Sequence, residues 1–104
     1  MGVVYKIPCE CGDFYIGETG RSLGTRLKEH QAACKYGNLA KSPVAEHAWR
    51  EGSHAIQWEE VELVDYSQNL VERKVKEAIH INLASRNLLM NRDSGMELSP
   101  LLAT

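Results

Sequence analysis

The sequence predicts an α+β domain, a small three-stranded antiparallel sheet flanked by helices, and three features of its 104 residues carry that prediction. Two short β-branched and aromatic runs open the chain, separated by a turn rich in Cys, Gly and Asp. Later segments carry helix-start signals and apolar residues at helical spacing. Between them lies one further stretch rich in Ile, Trp and Val. With 43% hydrophobic and 25% charged residues, the composition is that of a globular chain. The length suits one core.

Residues 3–7, VVYKI, read as the first strand, and Pro8 ends its hydrogen-bonding capacity. Residues 9–13 read as a turn, and 14–17, FYIG, as a second strand closing an antiparallel hairpin. Gly17 to Gly20 loosens the chain, after which Ser22 can cap a helix running to about Tyr36, with Leu23, Leu27, Gln31 and Cys34 as its stripe. Gly37 closes that helix through its tolerance of the left-handed conformation. Ser42 and Pro43 form a second helix start, and that short helix is expected to end near Gly52. Residues 56–65 read as the third strand. A longer helix is expected from Ser67 or Gln68 to about Ala84, with Val71, Val75, Ala78, Ile79 and Asn82 inward. Residues 86–93 read as a turn or short strand, so the domain spans 1–93 and 94–104 is a loosely held tail.

Twelve basic residues face fourteen acidic ones, a formal net charge of −2. Residues 1–50 carry seven basic against five acidic, and residues 51–104 five against nine. A nucleic-acid coat protein is usually strongly basic, so charge alone does not announce one. No apolar run approaches the roughly 20 residues of a membrane span, and no charged-then-apolar leader is present, so a membrane or secreted protein is not expected. The three cysteines are an odd number, which argues against a disulfide-framed fold and for a reducing compartment. Cys34 reads as a small hydrophobe on a helix face.

Several residues could carry chemistry. Tyr5 and Tyr15 lie on adjacent strands, where their hydroxyls could converge on one substrate group, although tyrosines are also ordinary half-buried strand residues. Arg26 offers a planar, permanently charged fork suited to phosphate, or it is a solvated helix-face charge. His30, one turn on, could orient a nucleophile or contact phosphate. Glu77 follows Leu70 by seven residues and precedes Ile81 by four, so it shares a face with apolar residues, where a divalent cation would offset its burial. Cys9, Cys11, His47 and His54 supply the ligand types and number of a closed tetrahedral zinc site, with C-x-C spacing tighter than usual.

In order, VVY at 3–5, YIG at 15–17, Arg26 with His30, Glu77 and Asn91 resemble the GIY-YIG nuclease superfamily over roughly residues 3–93. The stretches CECGDFYIGETGRSLGTRLKEH, KSPVAEHAWREGSHAIQW and MNRDSG are similar to the endonuclease domain that ends Penelope-like retroelement polyproteins. The opening Met1-Gly2 directly before the first motif is then expected to mark an excised piece of a longer chain. VVY lacks the glycine of GIY but keeps the tyrosine, which bears on strand packing more than on activity.

The resemblance implies a metal-dependent DNA endonuclease that nicks target DNA for integration by the reverse transcriptase portion of the same polyprotein, in the nucleus. Glu77 would ligate Mg²⁺ or Mn²⁺, Tyr5 would take or orient the proton of the attacking water, and Arg26 would stabilise the transition-state charge. Tyr15 and His30 would position water and phosphate, and Asn91 would support the site by hydrogen bonding. Cys9, Cys11, His47 and His54 would hold a structural Zn²⁺. A zinc-stabilised nucleic-acid-binding module without cleavage and a cellular repair or structure-selective nuclease of the same superfamily are the alternatives, and monomer and transient dimer stay open.

Overall fold

A computed structural model describes residues 2–50, 55–83 and 89–91. The elements run β1 (Val3–Pro8), β2 (Phe14–Thr19), α1 (Leu23–Tyr36), α2 (Pro43–Ala48), β3 (Glu62–Tyr66) and α3 (Leu70–Leu83). The architecture is the expected α+β type. The three strands are antiparallel in the order β2-β1-β3, with β1 central. The expected tail at 94–104 lies outside the described residues.

The hairpin forms for local reasons. Gly12 takes a φ of 97°, and the turn is closed by Cys9 N–H donating to Asp13 O at 2.8 Å and Gly12 N–H donating to Cys9 O at 3.0 Å. Alternation along β1 then builds two cores. Val3, Tyr5, Ile7 and Cys9 pack with Val44 and Met90 on one face, joined by Leu23, Leu27 and Cys34 of α1. Val4 faces the other side, against Ile16 and Ile81 of α3. Both faces of so small a sheet are therefore covered, which explains why β1 is almost wholly buried.

Ser22 caps α1 by accepting from Thr25 N–H, and Gly37 closes it at φ 67°. Ser42 caps α2, with Pro43 in its first turn. Two elements differ from expectation. Residues 58–60 form a 3₁₀ turn, and Ile56 pairs only singly with Cys9, so β3 is limited to Glu62–Tyr66. Helix α2 ends at Ala48, where Trp49 departs from helical geometry, before the expected Gly52.

The inward face of α3 is also rotated from the expected stripe. Val71 and Ile79 are 63% and 37% exposed, while Arg73, Ala78 and Ile81 are buried. Arg73 is drawn inward by Glu18 of β2, its Nε donating to Oε2 at 2.9 Å, with Lys74 Nζ on the same carboxylate at 2.8 Å. Arg73 is held there by further bonds from Nη1 to the Ser67 and Gln68 carbonyls at 3.2 and 3.3 Å.

Candidate functional site

Tyr5 and Tyr15 point to the same face of the hairpin, their ring centroids 6.2 Å apart. His30 of α1 completes a triangle, its ring 6.1 Å from Tyr5 and 5.2 Å from Tyr15, both edge-on. His30 Nε2 lies 3.0 Å from the Tyr5 hydroxyl, and its Nδ1 lies 2.7 Å from Ser42 Oγ. Burial first, then the charge of Arg26, holds the His30 pKa down to about 4, with Glu29 opposing. The ring is therefore a neutral imidazole near pH 7.

Burial pushes the Tyr5 pKa above the ordinary tyrosine range. Tyr15 and the carboxylate of Glu77 push in the same direction, and Arg26 pulls the other way by charge and hydrogen bonding. Arg26, Glu77 and Tyr15 thus all bear on the one phenol of Tyr5. Partial burial works against the charge on Arg26, but Glu29 and the two tyrosines raise its pKa above its ordinary value. Tyr5 itself has no exposed surface, whereas the Arg26 side chain is 30% exposed.

Arg26 also borders a cleft of about 410 Å³ that includes Arg21, Glu29, Asn38 and Lys41. Glu29 accepts from Arg21 Nη1 and Nη2 at 2.9 and 2.6 Å and from Arg26 Nη1 at 3.0 Å. Arg21, then Arg26, hold the Glu29 pKa down to about 2. One carboxylate occupies two guanidinium forks of the kind that bind phosphate.

Asn91 meets backbone. Its Nδ2 donates to Ile16 O at 2.7 Å and its Oδ1 accepts from Ile16 N–H at 3.1 Å. Met90 N–H donates to Phe14 O, and Leu89 bridges Phe14 in parallel. Residues 89–91 therefore cover the outer edge of β2 and hold Tyr15 on a paired strand.

At the hairpin turn, ligand atoms of Cys9, Cys11 and His47 lie within 4.8 Å of one another, close enough to bind a metal ion. Cys11 Sγ is 3.3 Å from His47 Nε2. His47 Nδ1 lies 3.7 Å from Asp13 Oδ2, placing a carboxylate behind the imidazole as in many zinc sites. Burial raises the Cys9 pKa. Two thiols, a backed imidazole and this spacing fit zinc. His54 lies outside the described residues. Its neighbour Ala55 is at the cluster, its carbonyl accepting from Cys9 Sγ at 3.4 Å.

Three residues take roles beyond those the sequence predicts. Ser42 was read only as a cap, yet it also holds His30. Asp13 was read as a turn residue, and only the fold brings it to His47. Gly17, the strand end and YIG glycine from which the chain is expected to loosen, also makes room for two rings: a Cβ there would sit 2.6 Å from Tyr5 Cζ and Oη and 2.7 Å from Tyr15 Cε2. The Tyr-x-Gly spacing was the available signal for that close approach. Among the described residues, no helix is long and apolar enough to cross a membrane. Comparison with family models, curated proteins and solved structures found no match.

Proposed function

We propose that this chain is a metal-dependent DNA endonuclease of the GIY-YIG type, with a structural zinc site at its hairpin turn. One observation carries the reading: Tyr5, Tyr15 and His30 form a closed triangle of rings, with His30 Nε2 3.0 Å from the Tyr5 hydroxyl. Arg26 and Glu77 are near enough to shift the Tyr5 pKa in opposite directions. A phenol, a fixed guanidinium and a carboxylate are the parts that phosphodiester hydrolysis needs. Glu77 is the carboxylate that would hold Mg²⁺ or Mn²⁺, which supplies Lewis-acid polarisation of the scissile phosphate when bound.

In the reaction, water adds to phosphorus and the bond to the leaving oxygen breaks. Arg26 stabilises the charge that gathers on the phosphate. Tyr5 is a neutral phenol in the free chain, so it first orients the water. It accepts the water's proton only as a phenolate, its own proton having passed to solvent, a change that burial, Tyr15 and Glu77 oppose and Arg26 favours. Tyr5 itself is covered, and the Arg26 guanidinium, 30% exposed and paired with Glu29, is the part of the site open to phosphate. The cleft with Arg21 and Lys41 offers further cations to the strand despite the net charge of −2. The Cys9, Cys11 and His47 cluster, with His54 as the fourth ligand, is assigned to zinc. The Penelope-like retroelement setting, the reverse transcriptase partner and a nuclear site of action belong to the same proposal and rest on the motif wording.

The test is nicking of supercoiled plasmid with Mg²⁺ or Mn²⁺, beside chelator, Tyr5→Phe and Glu77→Ala. Metal-dependent nicking that falls about 100-fold or more in both variants, at unchanged fold and zinc content, is expected. Unfolding of Glu77→Ala removes that residue from the chemistry. Failure of folded, zinc-loaded protein to nick leaves a nucleic-acid-binding module.

A further inference from the structure

The Ser42 hydroxyl has three neighbours and one proton. Val44 N–H and Ala45 N–H reach Oγ at 3.2 and 3.4 Å, and both can only donate. They occupy the two lone pairs. The third neighbour, His30 Nδ1 at 2.7 Å, must then accept the Ser42 proton. In the opposite arrangement three N–H donors would converge on one hydroxyl oxygen that has two lone pairs. The distances agree, since 2.7 Å is typical of an O–H donor and the 3.0 Å Tyr5–His30 contact of an N–H donor.

We infer that Ser42 is a positioning residue for Tyr5: its hydroxyl donates to His30 Nδ1, so His30 carries its proton on Nε2 and donates it to the Tyr5 oxygen. A hydrogen bond runs in one direction from the first turn of α2 through Ser42 and His30 to the phenol. Tyr5 then receives a donor on its oxygen from inside the protein, and its own O–H is not spent on His30. The same donor stabilises the phenolate. Were the tautomer reversed, Tyr5 would spend its O–H on His30 Nε2 and offer nothing to the nucleophile. The consequence for cleavage rests on the nuclease reading, whereas the direction of the chain does not.

Long-range ¹H–¹⁵N correlation spectra of protein with ¹⁵N-labelled histidine read the tautomer directly. His30 protonated on Nε2 at neutral pH is the expected result, and His30 protonated on Nδ1 in the folded chain overturns the inference. Ser42→Thr keeps the donor and is expected to keep both the Nε2–H tautomer and nicking. Ser42→Ala is expected to let the tautomer mix and to slow plasmid nicking about 10-fold or more. A folded Ser42→Ala that retains wild-type tautomer and nicking also overturns it. The spectrum of the unsubstituted chain decides the direction even if Ser42→Ala does not fold. Nε2–H in a chain that does not nick supports the hydrogen-bond direction while removing the nuclease reading.

Discussion

Gly17→Ala probes the site where the hairpin is most crowded. Gly17 lies directly opposite Tyr5 across the β1–β2 pair, and the Tyr5 ring folds over it. An added Cβ would stand 2.6 Å from Tyr5 Cζ and Oη, where ordinary contact begins at 3.4 Å, so about 0.8 Å of movement is required. Tyr5 has no free surface into which to retreat, and Tyr15 blocks a sideways shift at 2.7 Å. Moving the hydroxyl by that amount breaks its 3.0 Å contact with His30. Overpacking of this kind costs about 1–3 kcal/mol, against a gain of about 0.4–1 from the stiffer unfolded chain. The net loss, about 1.3 kcal/mol at its centre, corresponds to a fall in Tm of roughly 5–10 °C for a domain of this size. Gly24→Ala is the control, since a Cβ there meets nothing within 4 Å, and its Tm should hold or rise by a few degrees. Melting by circular dichroism with parallel nicking assays checks both. A Gly17→Ala chain that melts within about 2 °C of wild type and nicks normally refutes the crowding argument.

Cys11→Ser should lower zinc content and Tm together, measured by metal analysis and thermal melting, and unchanged zinc content removes Cys11 from the ligands. His30 has a folded pKa of about 4 against an ordinary 6.5, so its contribution is complete above pH 6.5 and fades as pH falls toward 4. Denaturant melts should show a loss of up to about 3 kcal/mol over that window, absent from His30→Gln, and parallel pH curves for the two chains contradict the assignment. Asn91→Ala removes both hydrogen bonds to Ile16 and should cost about 1–3 kcal/mol, with faster amide exchange at Ile16; unchanged exchange there argues against edge cover.

The hairpin was legible because its determinants are local. VVYKI and FYIG are strand-formers, and Gly12 supplies the positive φ the turn requires. The ends of α1 and the start of α2 were legible for the same reason, with Ser22, Gly37 and Ser42 acting within their own turns. The inward face of α3 was not legible, because Arg73 is buried by Glu18, 55 positions away, and no window of local periodicity contains that pair. The site divides likewise. Tyr5 and Tyr15 could be placed on one hairpin, but the bond from His30 to Ser42 and the seating of His47 behind Cys11 depend on how α1 and α2 pack. Residue chemistry and the resemblance together supplied the candidates, and the fold adds one reason the sequence did not show: the Tyr5 and Tyr15 rings leave no room for a Cβ at position 17.

The two parts of the site meet in one short element. Helix α2 has six residues, too few to persist alone, since helices shorter than about 12 residues are marginal in water. It must be held from outside, and both ends are. At its start, Ser42 bonds to His30. At its end, His47 reaches Cys11 and Asp13 of the hairpin turn. A metal ion on Cys9, Cys11 and His47 would therefore fix the element whose cap sets the His30 tautomer, and through it the hydrogen bonding of Tyr5. A zinc ion with no reactive role would in that way still bear on the proposed reaction. Its removal should loosen the His30 tautomer in the ¹⁵N spectrum at chelator concentrations that leave most of the helical circular dichroism intact. A chelated chain that keeps a single Nε2–H tautomer would show that α2 is held by Val44 and the sheet core alone.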